Sequence, residues 1–169
     1  MARILVVLPY SGAKVGGGLA NVNQELTEAL SLKHEVKLLT VKLPEHSAPD
    51  QNKHGDAKIV FIEHPEAAKM TNPGRIDTER NRLYEIINNA PDSAKSAAEL
   101  GLGDDWTPDI IIGHSRFSGP AAIKLRDKFY KKAKVYYFVH SVPAEGVIVF
   151  GQGITSSKTA SEKQALELK

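Results

Sequence analysis

The stretch "ARILVVLPYSGAKVGGGLANVNQELTEALSLKHEVKLLTV" (residues 2–41) decides the fold class of this chain. It opens with a short, continuous apolar run, which is typical of a strand buried on both faces of a parallel sheet. After a run of glycines, apolar side chains recur at helical spacing from Leu19 to Leu30. A second apolar run, residues 34–41, predicts another strand. The stretch therefore predicts a β-α-β unit.

The same alternation continues along the rest of the chain. Further strands are predicted at residues 57–63, 109–115 and 133–141. A helical stretch is predicted from about 76 to 102 with an interruption near Pro91, and a helix at 119–132 with Pro120 in its first turn. Parallel strands need helical crossovers, so we predict an α/β fold: an open, mainly parallel twisted sheet with helices on both faces, Rossmann-like.

Length and composition limit the classes of function. The 169 residues, 41% hydrophobic and 25% charged, predict one domain spanning 1–169. The 22 basic and 20 acidic residues are scattered along the chain, which argues against a nucleic-acid partner. No apolar run approaches the roughly 20 residues that span a bilayer, nothing supports peripheral membrane association, and a cytoplasmic location is predicted. The absence of cysteine excludes disulfides, thiolate zinc sites and a cysteine nucleophile.

Polar residues cluster where the predicted strands end. Ligands of open parallel sheets bind beyond the carboxyl ends of the strands, so these residues are expected at one edge. Any one of them alone is more often structural, and their convergence is what indicates a site. The residues that follow predicted strands are Lys14, Gly16, Gly17, Gly18, Glu63, His64, His114, Ser115, Arg116, His140, Ser141 and Glu145.

The glycine run fits neither common phosphate motif. Counted from Gly16, a dinucleotide fingerprint requires its third glycine at the position of Asn21, and a P-loop requires its lysine after the glycines, whereas Lys14 precedes them. What remains is a helix N-terminus led by glycine, where unpaired backbone N–H groups can meet an anion without Cβ obstruction. A glycine-rich turn needed only for close packing is an equally open interpretation.

Four segments resemble one family in the same order. "GAKVGGGLANVNQELTEALSLKHEVKLLTV" (residues 12–41) resembles the first β-α-β unit of retaining glycosyltransferases of the GT-B fold, particularly those of family 4. "PDIIIGHSRFSGPAAIKL" (108–125) and "KVYYFVHSVP" (134–143) resemble two later strands of that family, and "EKQALELK" (162–169) resembles the start of a following helix. The resemblance spans nearly the whole chain.

The resemblance implies the N-terminal half of a two-domain enzyme. The chain is then a single acceptor-side domain, with the C-terminal donor-binding domain absent, and it is expected to be inactive alone. The whole enzyme is expected to transfer a sugar, with retention, from a nucleotide-sugar to an unknown acceptor, either a small molecule or a glycan. No cofactor and no metal are expected. Asp104 and Asp105, the best acidic pair, precede a strand and so lie at the wrong end of the sheet.

The resemblance also assigns roles to residues. Gly17 and Gly18 would donate backbone N–H hydrogen bonds to the donor diphosphate. Gly16 would give the loop conformational freedom, and Lys14 would add a positive charge. His140, the expected catalytic residue, aligns with a histidine that faces the transferred sugar. For Arg116, which suits an anionic acceptor, a solvated surface position is equally open. The residues expected on the acceptor side are His114, Ser115, Arg116, Ser141 and Glu145.

Three alternatives stay open. The order Lys14 to Leu19 is similar to the lysine-x-glycine-glycine-leucine of glycogen and starch synthases, with one residue inserted, so a glucosyltransferase of that kind is one alternative. A nucleotide-sugar epimerase shares the GT-B fold and is another. The last is a binding module that holds a nucleotide or a partner protein and performs no chemistry.

Overall fold

The computed structural model describes residues 1–11, 18–44, 54–73 and 75–139. The strands in these ranges are β1 (Arg3–Val7), β2 (Glu35–Val41), β3 (Lys58–Ile62), β4 (Ile110–His114) and β5 (Lys134–Phe138). The helices are α1 (Gly18–Ser31), α2 (Asp77–Ser93) and α3 (Ser115–Lys128). None of these helices is long and apolar enough to cross a membrane.

The five strands form one parallel sheet in the order β3-β2-β1-β4-β5. Val6 on the central strand lies opposite Leu38 of β2 and Ile112 of β4. The predicted open, parallel α/β fold is therefore confirmed. Strands β2 and β3 follow β1 on one side, whereas β4 and β5 are added on the other side of β1. The gap between β1 and β4 is therefore the topological switch point, where open sheets of this kind form a ligand crevice.

The sheet is covered on both faces. On one face Leu5 packs with Ile87 of α2 and Leu125 of α3, all of them fully buried. On the other face Val6 belongs to a second apolar cluster, against which Leu30 of α1 packs. Because successive side chains of a strand point to opposite faces, the continuous apolar run of β1 supplies both clusters.

Helix α3 begins earlier than its sequence predicts. The prediction of residues 119–132 with Pro120 in the first turn is wrong, since the helix starts at Ser115 and Pro120 lies inside it. A proline has no N–H, so the carbonyl of Arg116 loses its donor within the helix. Asn88 of α2 supplies a replacement, because its Nδ2 lies 3.2 Å from the Arg116 carbonyl oxygen. A side chain from another helix thus makes an interior proline tolerable.

Helix α2 is shorter than the predicted helical stretch of about 76–102. It ends at Ser93 and carries Pro91 in its last turn rather than stopping before it. The Pro91 carbonyl accepts a hydrogen bond from Lys128 Nζ at 3.0 Å, which serves one of the carbonyls left over at a helix end. A single 3-10 turn, Ala98–Leu100, follows after a break.

A polar network binds the segment before β4 to the amino edge of the sheet, the edge at which the parallel strands begin. Trp106 Nε1 donates to Glu35 Oε1 at 2.7 Å, and Glu35 Oε2 accepts from Arg3 Nε at 3.1 Å. Lys37 Nζ donates to the Leu102 carbonyl at 2.5 Å and lies 4.4 Å from the centre of the Trp106 ring. Burial lowers the pKa of Lys37. These polar groups satisfy one another's hydrogen bonds, and together they fix the segment before β4 against the sheet.

Candidate functional site

All five strands end at one edge of the sheet, because all of them are parallel. β1 ends at Val7 and β4 at His114, on either side of the switch point. The three residues predicted there from the end of β4, namely His114, Ser115 and Arg116, lie at this edge, at the end of the strand and in the first turn of α3. His114 and Ser115 are buried, and Arg116 is half-buried.

Ser118 ties the two central strand ends together. Its buried Oγ accepts a hydrogen bond from the His114 backbone N–H at 3.1 Å and donates one to the Val7 carbonyl at 2.7 Å. A single hydroxyl therefore satisfies polar backbone groups on both sides of the switch point. Since buried backbone groups without partners are costly, this contact fixes the entry to α3 relative to β1.

The turn into α3 also contacts the end of β5. Ser115 adopts a left-handed backbone conformation, with φ of 38°, and its Oγ donates to the Phe138 carbonyl at 3.3 Å. The rings of His114 and Phe138 stack with centroids 5.7 Å apart. A non-glycine residue in this region costs about 1–3 kcal/mol and tends to occur where a fixed backbone geometry serves a function.

The side chains of Arg116, Phe117 and Tyr84 form consecutive contacts beside this turn. The guanidinium carbon of Arg116 lies 4.8 Å from the centre of the Phe117 ring, which in turn lies 4.9 Å from the Tyr84 ring. The phenol groups of Tyr84 and Tyr10 lie near each other and near Arg80. Burial raises the pKa of each tyrosine, and the positive charge of Arg80 opposes that rise. Both phenols are therefore neutral hydrogen-bonding groups at physiological pH.

Asn88 fixes the same turn from the side of α2. Its Nδ2 approaches the carbonyls of Arg116 and Phe117 at 3.2 and 3.3 Å, and its Oδ1 accepts from the Ala121 N–H at 3.0 Å. The side-chain amide thus replaces helical hydrogen bonds on both sides of Pro120. The backbone that carries Arg116 is held by a neighbouring helix.

A separate groove lies beyond the ends of β2 and β3. Lys42 Nζ contacts Glu63 Oε1 at 2.6 Å, and this hydrogen bond lowers the pKa of Glu63. The groove measures about 540 Å³. Its lining residues are Lys42, Leu43, Pro44, Glu63, His64, Pro65 and Ala68. β3 is three strand spacings from β4, roughly 14 Å, so Glu63 and His64 share the edge with His114 without joining its cluster.

Some of the other predicted site residues lie in the described ranges, and the rest lie outside them. Gly18 begins α1, as expected for a glycine-led helix N-terminus. In the described ranges no group of three or more acidic or histidine side chains is arranged to hold a metal ion. Asp104 and Asp105 are exposed and precede β4. The predicted residues outside the described ranges are Lys14, Gly16, Gly17, His140, Ser141 and Glu145.

Sequence reasoning missed several residues of this edge. Tyr10 follows β1 in the stretch that was scanned for phosphate motifs, and its position after a strand end is a usable signal. Ser118 lies one turn beyond His114, a spacing that places a hydroxyl near the preceding strand end. Tyr84 and Asn88 sit inside a helix, and their contacts with α3 have no local signal in the sequence.

Comparisons with known proteins agree with this architecture. Residues 11–169 match the sequence profile of the family described as "Family 4 Glycosyltransferase in conflict systems". None of the curated proteins matches the sequence. Sucrose-phosphate synthase from Thermosynechococcus elongatus is similar in structure, with a TM-score of 0.61 and 18% identity over 98% of this chain and 40% of that chain. Arabidopsis thaliana UGT89C1 complexed with UDP gives a TM-score of 0.53 and 14% identity over 97% of this chain and 40% of that chain.

These structural likenesses establish a fold. The chain spans about 40% of the length of each of the two proteins. The shared fold is the Rossmann-like half of a GT-B architecture, with its crevice at the carboxyl edge of the sheet.

Proposed function

The chain belongs to the family 4 glycosyltransferases in conflict systems, and we propose that it is the acceptor-side domain of an enzyme that transfers a sugar, with retention, from a nucleotide-sugar to an acceptor. The proposed location of the site rests on one observation, the topological switch point between β1 and β4. Helix α1 starts after β1, and the turn at His114–Ser118 follows β4. The crevice between these two strand ends is the proposed reaction centre.

The donor diphosphate is proposed to meet the N-terminus of α1. The first turn of this helix carries no acidic side chain, so nothing there repels a phosphate, and its backbone N–H groups and dipole favour negative charge. As the bond to the sugar breaks, charge builds on the leaving diphosphate, and donors already oriented toward that position stabilise the transition state. Gly16, Gly17, Gly18 and Lys14 are the residues we assign to this task.

Most of the remaining donor contacts are proposed to come from a second Rossmann-like domain, as in the two-domain enzymes that the sequence resembles. The nucleotide-sugar itself is part of the proposal, and UDP is the first probe because UGT89C1 was solved with UDP. The acceptor is proposed to sit on the side of the crevice formed by His114, Ser115 and Arg116, with Ser141 and Glu145 beside it.

A substitution at His140 tests the proposed chemistry. In the whole enzyme His140→Ala is expected to lower the turnover of sugar transfer by about 100-fold or more, because the imidazole that orients the reacting hydroxyl is lost. The melting temperature should stay within about 1 °C of wild type. The matched control is His64→Ala, at the same edge but beside β3, which should leave turnover unchanged. A large loss of thermal stability in His140→Ala would identify a structural histidine instead.

A substitution in the glycine run tests the proposed donor site. Gly17→Val is expected to weaken UDP binding about tenfold, because a branched side chain obstructs the approach of phosphate to the backbone. Calorimetric titration of UDP measures the change. Unaltered UDP affinity would remove Gly17 from the donor site, and conversion of a nucleotide-sugar into its epimer without transfer would replace the proposed reaction with epimerisation.

A further inference from the structure

The carboxyl end of β5 is joined to the turn into α3 by two contacts. The Ser115 Oγ donates a hydrogen bond to the Phe138 carbonyl at 3.3 Å, and the His114 ring stacks on the Phe138 ring with centroids 5.7 Å apart. We propose that Ser115 is a positioning residue, whose hydroxyl together with this stack sets where the chain leaves β5 and so where His140 lies in the reaction crevice. The inference rests on the proposed function, because it takes His140 as the catalytic residue.

Strand β5 needs such contacts because it lies at the edge of the sheet. Among the described strands it pairs with β4 alone, in a register that sets Phe138 opposite His114. The side chains of Phe138 and Val139 are 41% and 60% exposed, so burial holds this end of the strand only weakly. Segments with few buried contacts open at a low cost in free energy. The contacts with Ser115 and His114 therefore decide how firmly the end of β5 is held.

The turn that carries Ser115 is a rigid support for these contacts. The Ser118 hydroxyl joins the turn to the end of β1, and the Asn88 amide joins it to α2. The left-handed φ of 38° at Ser115 persists because the surrounding contacts over-determine the backbone. Functional groups are held within about 0.5 Å only when their supporting residues are fixed in this way.

The Ser115 hydroxyl acts through the backbone of β5 rather than on a substrate. Ser115 is 1% exposed, and its hydroxyl hydrogen is directed at the Phe138 carbonyl. The 3.3 Å separation exceeds the roughly 2.8 Å usual for hydroxyl donors, so the ring stack shares the task of holding the strand end. Ser115 thus shapes the crevice without placing its hydroxyl against the acceptor.

The position of Phe138 is passed on to His140 by the chain itself. His140 lies outside the described ranges, but it follows Phe138 by only two residues. Two residues span at most about 7 Å, so a shift of the Phe138 backbone displaces the proposed catalytic imidazole. A misplacement of about 1 Å near reacting atoms can cost on the order of 100-fold in rate.

Two substitutions at Ser115 separate positioning from stability. Ser115→Ala and Ser115→Gly both remove the hydroxyl, but only glycine relieves the left-handed backbone, so Ser115→Gly should melt at a higher temperature than Ser115→Ala. In the whole enzyme both variants should lower the kcat of sugar transfer by the same factor, about tenfold, with the KM for the nucleotide-sugar unchanged. A purely structural role would instead make the loss of kcat follow the loss of thermal stability.

Relaxation of the ¹⁵N-labelled whole chain reads the strand end directly. In both Ser115 variants the heteronuclear NOE of the Val139 amide should fall, whereas that of Lys134, at the other end of β5, should not change. The matched control is Ser93→Ala, which removes a hydroxyl that also donates to a backbone carbonyl at 3.3 Å, in the last turn of α2. This control should leave kcat and the Val139 amide unchanged.

A second variant removes the ring stack and keeps the carbonyl. Phe138→Leu should lower kcat about threefold and lower the heteronuclear NOE of Val139. It tests the proposal even if a Ser115 variant does not fold.

Several results would overturn the positioning role. These are wild-type kcat in folded Ser115→Gly, a loss of kcat that follows the melting temperature, an unchanged Val139 amide in the Ser115 variants, or an equal loss of kcat in Ser93→Ala. Failure of the proposed function is a different result, namely no sugar transfer by the whole wild-type enzyme while the Val139 amide still responds to loss of the Ser115 hydroxyl.

Discussion

The amino and carboxyl edges of the sheet both carry polar networks, but of different kinds. At the amino edge side chains bind one another in the chain of contacts from Arg3 through Glu35 to Trp106, and Lys37 adds a hydrogen bond to the Leu102 carbonyl. At the carboxyl edge the side chains of Ser118 and Asn88 bind backbone groups around a turn. The first arrangement mainly links side chains to one another, whereas the second fixes the backbone of the turn into α3.

The distribution of strain follows the same division. In the described part of the chain Ser115, at the carboxyl edge, is the non-glycine residue with a positive φ, while at the amino side the positive φ angles belong to Gly55, Gly101 and Gly103. Glycine adopts such angles at no steric cost. The amino edge is therefore built for stability, and the carboxyl edge gives up some stability to place the turn that carries Arg116.

The largest effect is expected where α3 lies closest to β4. At Gly113 an added Cβ would come within 2.7 Å of the Ala122 Cβ and 2.9 Å of the Gly119 Cα. Because these atoms belong to the helix backbone or lie next to it, Gly113→Ala should force α3 outward and lower the free energy of unfolding by about 3 kcal/mol. Urea denaturation measures this change.

Gly119→Ala is the matched control for that substitution. Its Cβ would meet the ring of Tyr137, a side chain that is 38% exposed and can move outward. Alanine also has the higher helix propensity, so the expected cost is about 1 kcal/mol. A larger cost at Gly119 than at Gly113 would show that the ring, rather than the helix backbone, limits the approach of α3 to the sheet.

An intermediate effect is expected from the two hydrogen-bond networks themselves. Ser118→Ala leaves the His114 N–H and the Val7 carbonyl without the hydroxyl that joins them, so it should cost about 2 kcal/mol. Glu35→Gln weakens an ion pair whose side chains are 46% and 42% exposed, and should cost only about 0.5 kcal/mol. Equal costs in parallel denaturation curves would contradict the division between the edges.

The smallest effect is expected at Tyr130, in the turn after α3 at the amino edge. Burial raises the pKa of Tyr130 to about 12, and the charge of Asp104 adds to the rise. Unfolded tyrosine ionises near pH 10, so between pH 10 and 12 the unfolded state loses its proton first and stability falls as pH rises. Well below pH 10 the contribution is complete.

Tyr130→Phe removes this titration. Relative to the variant, wild type should lose roughly 0.4 kcal/mol by pH 10. Near pH 7 the two proteins should have similar stability, since the Tyr130 hydroxyl has no hydrogen-bond partner among the described residues. Parallel pH dependences would show that the hydroxyl is solvated in the folded protein.

The sequence predicts much of the fold because the pattern is local. Continuous apolar runs such as the one in β1 mark strands buried on both faces, and all five strands were predicted in this way. The start of α3 was predicted wrongly, because a proline usually marks the first turn of a helix. Pro120 lies deeper in α3 because the side chain of Asn88, which is distant in the sequence, replaces the missing hydrogen-bond donor. Compensation between distant residues leaves no local pattern.

In the candidate site, too, the residues that follow a local pattern were predicted, and those placed by contacts between distant elements were not. His114, Ser115 and Arg116 follow a strand end, and parallel topology alone brings them to the carboxyl edge. Tyr84 lies on a helix, and only the packing of α2 against α3 brings its ring to the Phe117 ring. The predicted roles of His140, Gly17 and the other residues outside the described ranges stay predictions.

The hydrogen bond from Ala121 to the Asn88 side chain has a consequence for hydrogen exchange. In an unbroken helix an amide proton exchanges when its own helix frays or unfolds. The Ala121 N–H is instead held by a side chain of α2, so its exchange reports the separation of the two helices. A ligand that tightens the packing of α2 on α3 would slow this one proton more than its neighbours, which makes the Ala121 amide a reporter of that packing.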